Sequence, residues 1–395
     1  MFFHEILEAK PDPIFGLADA FRADVRPNKV NLIIGIYKDD QLQSHIMRSM
    51  QKAKQRVLEQ DLVADYLPLD GLPAFCEGIG ALVFGESIWK ANHSRIYAAQ
   101  AVGGTGALQI GEQFLAQEVT KEVAIPLTTW PTHRLIVERA GCKVSTYPYY
   151  NRKTHGIDFS PLCSALKELP KKTAVLLQPV CHNPTGSDPS FNQWKEISQI
   201  IKEKQLIPFF DFAYQGFGEG LEKDRKVIEL FFNAGHEMLI AYSCSKNFSM
   251  YCQRAGALFV VSENAAVKLR IGSQMKRIIR SLYSNPPAHG VRAIVHLLQD
   301  PMLKEEWTKE LDDMYQRIHR MRENLVQRLQ KSGLDFQFLR ERKGMFAFLD
   351  LDKSQVQRLI DDFGVYLLEN GRISLAGLTA QNLDYVVDAI ASVCK

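Results

Sequence analysis

Residues 95–119 read RIYAAQAVGGTGALQIGEQFLAQEV. An apolar, strand-like run (95–102) stops at four turn-forming residues (103–106), and an amphipathic run follows. The change from a two-residue to a 3.6-residue period across a glycine turn is the pattern of a strand feeding a helix. The same logic recurs. EVAIPLTTW (122–130) precedes PTHRLIVERAG, TAVLLQPV (173–180) precedes CHNPTG, and LIPFFDFAY (206–214) and MLIAYSCS (238–245) follow. Strands alternating with helices at this spacing predict βαβ units and a largely parallel sheet.

From about residue 302 the chain changes character. PMLKEEWTKELDDMYQRIHRMRENLVQRLQKSG (301–333) predicts a long charged helix ending at Gly333. GMFAFLDL, a helix from about Ser354, GVYLLENGRISLAGL and a closing helix then predict a smaller α+β domain.

Composition narrows the function. The chain has 395 residues, 46% hydrophobic and 24% charged, with a net charge of +3. Those are the proportions of an ordinary globular protein of two or three core-forming units. Lys and Arg are scattered, so no nucleic acid or membrane surface is expected. No uncharged apolar run approaches the roughly 20 residues needed to span a bilayer. The N-terminus carries Glu5 and Glu8 and does not read as a signal or transit peptide. Seven cysteines without C-x-x-C spacing predict reduced thiols and a cytoplasmic protein.

In open α/β sheets ligands bind beyond the carboxyl ends of the strands. Four polar devices fall at such ends: Gly103-Gly104-Thr105-Gly106, Asn183, Asp211 with Tyr214, and Ser243 with Lys246. The glycine turn reads as a phosphate cradle or as a plain tight turn; it lacks the endings of a nucleotide P-loop or a dinucleotide fingerprint. Asp211, inside FFDFAY, reads as a buried carboxylate facing a cation or as a loop anchor. Lys246 reads as a surface lysine or, near apolar sequence and Arg254, as an amine nucleophile of lowered pKa.

Ser243-Cys-Ser-Lys246 also fits the Ser-x-x-Lys of penicillin-recognising enzymes, but the companion Ser-Asp-Asn and Lys-Thr-Gly strings do not occur. Ten dispersed histidines without a His-x-x-x-His pair predict no metal. Arg280 and Arg372, in RIIRSLYSN and ENGRISLAG, read as surface ion pairs or as carboxylate clamps. Amine, carboxylate, anion cradle and aromatics together match the needs of pyridoxal phosphate.

The set DPIFGLADAFRAD, GGTGAL, CHNPTG, DFAYQGF, SKNF, SNPPAHG and GRISLAG, in that order, resembles the class I aspartate and aromatic aminotransferases. The resemblance implies a fold-type-I α/β architecture. Its large cofactor domain (45–312) is built on a mostly parallel seven-stranded sheet sandwiched by helices. A smaller α+β domain (14–44 with 313–395) and an N-terminal arm (1–13) complete it.

It further implies that Lys246 forms the internal aldimine and shuttles a proton, and that Asp211, backed by His133, pairs with the ring nitrogen. Tyr214 and Asn183 would hydrogen-bond the phenolic oxygen and lower the aldimine pKa, and Trp130 would stack on the ring. Ser243, Arg254 and the Gly103–Thr105 turn would hold the phosphate. Tyr66 and Arg280 would reach a neighbouring subunit's site, making the protein a homodimer with the arm across its partner. Arg372 and the Gly35 backbone would bind the substrate α-carboxylate, with Trp130 and Asn183 alongside.

Arg280, Thr105 and Asn285 favour an aspartate/2-oxoglutarate aminotransferase. Aromatic or dual specificity is the alternative, and a silent cofactor-binding protein the remote one. A Rossmann oxidoreductase is demoted by the absent third glycine. Three departures from the pattern stand out: QLQSHIM after GIYKDD, Ser249 where glycine is usual, and Gln253 where an acid is usual.

Overall fold

The computed structural model describes residues 2–8, 12, 14–33, 35–44, 46–60 and 64–394. Part of the 1–13 arm therefore lies outside the described residues. The chain divides into two compact units, one of Met1–Ser44, Ile318–Arg340 and Met345–Lys395, the other of His45–Arg317 and Glu341–Gly344.

The larger unit is built on seven strands: β1 (Ile96–Val102), β2 (Glu122–Pro126), β3 (Lys143–Tyr147), β4 (Ala174–Leu177), β5 (Ile207–Phe212), β6 (Met238–Ser243) and β7 (Ala255–Val261). Their order is β1-β7-β6-β5-β4-β2-β3. The pairs from β6 to β3 are parallel, whereas β7 runs antiparallel to both β1 and β6. Every residue of β4, β6 and β7 is buried, as expected for strands covered on both faces.

The helix Gly103–Glu118 packs against the sheet through Ala107, Leu108, Phe114 and Leu115. At Gly111 the approach is so close that a Cβ would stand 2.4 Å from Phe209 Cζ. The crossover helix Phe191–Glu203 starts from a capping box, in which Ser190 and Gln193 satisfy each other's backbone N–H.

Register brings the functional strand ends together. Ala255 pairs with Val102 and Gly256 with Ser243. Arg254, Gly103 and Ser243, far apart in sequence, consequently meet at one corner of the sheet. Asp211, one residue from the end of β5, pairs with Ala241 of β6.

The smaller unit has two short strand pairs, Val30–Asn31 with Val365–Tyr366 and Phe346–Phe348 with Arg372–Ser374. A core of Ala18, Ile33, Tyr366 and Leu368 is packed by Leu17 and Phe21. The helix Lys353–Phe363 has an Asp352/Gln355 capping box and ends on Gly364 in the left-handed region. The long helix spans Pro301–Lys331.

Candidate active site

The corner formed by β1, β6 and β7 is shaped for an anion. Gly103 (φ +69°) opens the helix Gly103–Glu118, and a Cβ there would stand 2.5 Å from the Arg254 guanidinium. A Cβ on Gly104 would stand 2.9 Å from Ser243 Cβ. Only glycines let this helix N-terminus sit against both side chains, so backbone N–H groups, a hydroxyl and a guanidinium converge. The Arg254 guanidinium is steadied by the Tyr251 carbonyl at 3.0 Å and Ser245 Oγ at 3.4 Å.

Asp211 lies one strand further on, buried, and its Oδ2 is 3.0 Å from His133 Nε2. His133 Nδ1 is 2.8 Å from Thr129 Oγ1, which accepts from Gln178 Nε2 at 3.2 Å. A carboxylate only accepts, so Nε2 carries the proton donated to Asp211; in the neutral imidazole Nδ1 is then the acceptor, and the Thr129 hydroxyl donates to it. Gln178 extends the chain to the next loop, accepting the Asn183 N–H at 2.9 Å. Asp211 and Asn183 are thus joined by one directed series of hydrogen bonds. The Trp130 ring stands edge-on to His133, centroids 5.2 Å apart.

Lys246 follows the end of β6, and its Nζ lies 4.8 Å from the centre of the Tyr214 ring. Tyr214 is itself buried beyond the end of β5. In the large unit the structure brings Lys246 against Tyr214, Asp211 against His133, and Ser243 and Arg254 against the glycine turn. Thr105 is exposed on the helix's first turn.

The other expected residues form two further groups. Arg280 Nη1 donates to Ser284 Oγ, Ser284 Oγ to Asn285 Oδ1 at 2.8 Å, and Asn285 Nδ2 to the Leu67 carbonyl at 2.6 Å. That chain ends beside Tyr66, which is 90% exposed. In the small unit Arg372 is 2% exposed, held by the Ile33 carbonyl, with its guanidinium 4.1 Å from the Phe346 ring centre. Gly35 packs on that same ring, since a Cβ there would come within 2.5 Å of Phe346 Cζ.

Sequence reasoning missed Thr129 and Gln178. Gln178 stands immediately beyond β4, where the strand-end rule would have found it. Thr129 precedes His133 by four residues, the spacing of one helical turn. It also missed His182, buried and stacked on Tyr149 with centroids 3.8 Å apart, its pKa pushed well down by burial.

The sequence profile of the family "Aminotransferase class I and II" matches residues 27–390. The aspartate aminotransferase of Escherichia coli (strain K12) is 43% identical over 99% of this chain and 100% of its own length. An aromatic-amino-acid aminotransferase from Burkholderia pseudomallei, covalently bound to pyridoxal phosphate, superposes with a TM-score of 0.97 at 41% identity, covering 100% of both chains. A psychrophilic aromatic amino acids aminotransferase from Psychrobacter sp. B6, cocrystallised with aspartic acid, gives a TM-score of 0.97 at 36% identity, again over 100% of both. The chain belongs to the class I and II aminotransferases.

Proposed function

We propose that the protein is a pyridoxal-phosphate-dependent aminotransferase moving an amino group between L-aspartate and 2-oxoglutarate, with aromatic amino acids as second substrates. The observation that carries the reading is the anion-shaped corner of Gly103, Gly104, Ser243 and Arg254, on the same sheet edge as Lys246 and the His133-backed Asp211. The aspartate and aromatic relatives support the two substrate classes.

These residues fit the cofactor group by group. The Gly103–Thr105 amides, Ser243 and Arg254 hold its phosphate by charge-assisted hydrogen bonds. Lys246 would bind it through Nζ. Asp211, aimed by the His133 hydrogen bond, would pair with the ring nitrogen. Asn183 and Tyr214 would donate to the phenolic oxygen, while Trp130 would cover the ring. The bound cofactor supplies an electron-withdrawing ring that accepts the electron pair of a broken Cα–H bond. Lys246 Nζ, freed by the incoming amino acid, would take the Cα proton and deliver it to the cofactor's C4′.

Arg372, with the Gly35 backbone, binds the substrate α-carboxylate. Its planar fork is immobilised by the Ile33 carbonyl and Phe346, so little conformational freedom is lost on binding. We also propose a homodimer in which Tyr66 and Arg280 serve the partner's site and the 1–13 segment crosses the partner. The support is that Arg280 and Tyr66 are exposed and tied to one patch. Phe2, Phe3, Ile6 and Leu7 of the segment are exposed as well. A cytoplasmic location is supported by seven cysteines, five of them buried, with no disulfide among the described residues.

Arg280 is the specificity test. Two charge-assisted hydrogen bonds to a side-chain carboxylate contribute about 1.5–3 kcal/mol each. Arg280→Leu is expected to lower kcat/KM for aspartate by at least about 100-fold while changing the values for tyrosine and phenylalanine far less. Steady-state kinetics with the three amino acids measure it, and equal losses on all three would sink the role.

A further inference from the structure

Asn183 and Tyr214 leave the sheet in different loops, one after β4 and one after β5, and each loop is tied by its own carboxylate. Asp188 accepts the N–H of Cys181 at 2.8 Å and of His182 at 2.9 Å, the two residues before Asn183. Asp224 accepts the N–H groups of Gly216 (2.8 Å), Gly218 (3.0 Å) and Glu219 (2.7 Å), just after Tyr214. Five backbone donors are therefore satisfied by two side chains.

The turns require this. Cys181 (φ +54°) and Gly216 (φ +96°) both lie in the left-handed region, where the chain cannot hydrogen-bond to itself as a helix or strand would. The two loops also touch, since a Cβ on Gly218 would stand 2.4 Å from Val180 Cγ2 and 2.5 Å from Asp224 Oδ1.

Lys343 joins the two loops. Its backbone N–H donates to the Gly186 carbonyl at 2.9 Å in the first loop, and its ammonium pairs with Glu219 in the second. That ammonium draws down the pKa of both Asp188 and Asp224, while burial, the larger effect, pushes both up to about 6. Lys343, Glu219, Lys223 and the two aspartates line one cavity of about 660 Å³. Keeping two desolvated carboxylates close together is costly, and the fold recovers that cost only through the backbone they fix.

We propose that Asp188 and Asp224, in loops that Lys343 ties together, are positioning residues that aim Asn183 and Tyr214 at the cofactor's phenolic oxygen as a single braced unit. The inference rests on the donor roles of Asn183 and Tyr214 proposed above. A donor on the phenolic oxygen competes for its charge with the protonated nitrogen of the Lys246 linkage. Loosening either loop weakens the donor, and the linkage then keeps its proton to higher pH.

The test is a pH titration of the visible absorbance band of the cofactor-loaded protein. Asp188→Asn and Asp224→Asn, which preserve shape, are each expected to raise the midpoint by about 0.4–1 unit, the equivalent of one weakened hydrogen bond. Lys343→Met, at a more exposed position, is expected to shift it the same way by less. In the Asn183→Ala background Asp188→Asn is expected to add under about 0.3 unit, and Asp224→Asn the same in Tyr214→Phe.

Fully additive shifts overturn the inference. So does an unmoved midpoint in variants that lose only thermal stability or cofactor affinity. Where an aspartate variant does not fold, an unmoved midpoint in Lys343→Met overturns it. If Asn183→Ala and Tyr214→Phe themselves leave the midpoint in place, the donor roles fail and the inference with them.

Discussion

Asp211 and Glu112 are both buried carboxylates of the large unit, and the fold treats them in opposite ways. Asp211 sits at the end of a central strand and receives a hydrogen bond from His133, itself oriented by Thr129 and Gln178. Glu112 sits on the helix Gly103–Glu118 that packs on the same sheet, 1% exposed, and among the described residues neither of its oxygens has a hydrogen-bond partner. Burial pushes its pKa up to about 8. A donor chain reaches Asp211, whereas burial without a partner favours the neutral form of Glu112. Burial alone does not mark a carboxylate as functional; under the proposed function a directed donor chain at a strand end does.

Removing the charge at each position is the sharpest way to break the comparison. Under the proposed function Asp211→Asn would leave the ring nitrogen without its carboxylate partner. Breaking one side of a buried pair costs about 3–5 kcal/mol, so kcat is expected to fall roughly 10²–10⁴-fold with the fold retained. A loss under tenfold would contradict the role of Asp211.

Glu112→Gln is expected to leave kcat unchanged and to alter stability instead. The folded pKa of Glu112 lies above its ordinary value of 4.5. Its contribution to stability is thus fully present below pH 4.5 and is lost as pH rises through about 8. At about 1.4 kcal/mol per unit of displacement, the glutamine variant is expected to be a few kcal/mol more stable than the parent at pH 8.5. The two should converge toward pH 5. Denaturant unfolding at both pH values measures this, and parallel pH dependences would mean that Glu112 is charged and partnered.

His133→Ala is expected to cost catalysis less than Asp211→Asn. It removes one charge-assisted hydrogen bond from Asp211, about 1.5–3 kcal/mol, and kcat/KM should drop roughly 10- to 150-fold. A loss equal to that of Asp211→Asn would make His133 part of the chemistry rather than a support.

Much of this was legible in the sequence. The alternation beginning at residues 95–119 predicts five of the seven strands but not Lys143–Tyr147 or Ala255–Val261, and a lysine, an aspartate and a glycine turn at strand ends mark the candidate site. What escaped depends on distances between loops and on depth. Glu112, in IGEQFLAQE, reads as the polar face of an amphipathic helix. Only the closeness of Gly111 to Phe209 reveals how near the sheet that helix lies. Asp188 and Asp224 read as turn residues in GSDPS and EKDRK, because sequence does not show which N–H groups a turn leaves unsatisfied. The chain from Gln178 through Thr129 and His133 to Asp211 crosses three segments. Each polar residue in it is unremarkable until the strand order β5-β4-β2 makes them neighbours.

Under the proposed function Lys246 is the residue that binds the cofactor covalently. Borohydride reduction of the cofactor-loaded protein, followed by proteolysis and mass mapping, tests this most directly. The predicted result is a single pyridoxyl-modified peptide spanning Ser245–Phe248 with the added mass on Lys246. A colourless protein, or a label on any other lysine, would contradict it.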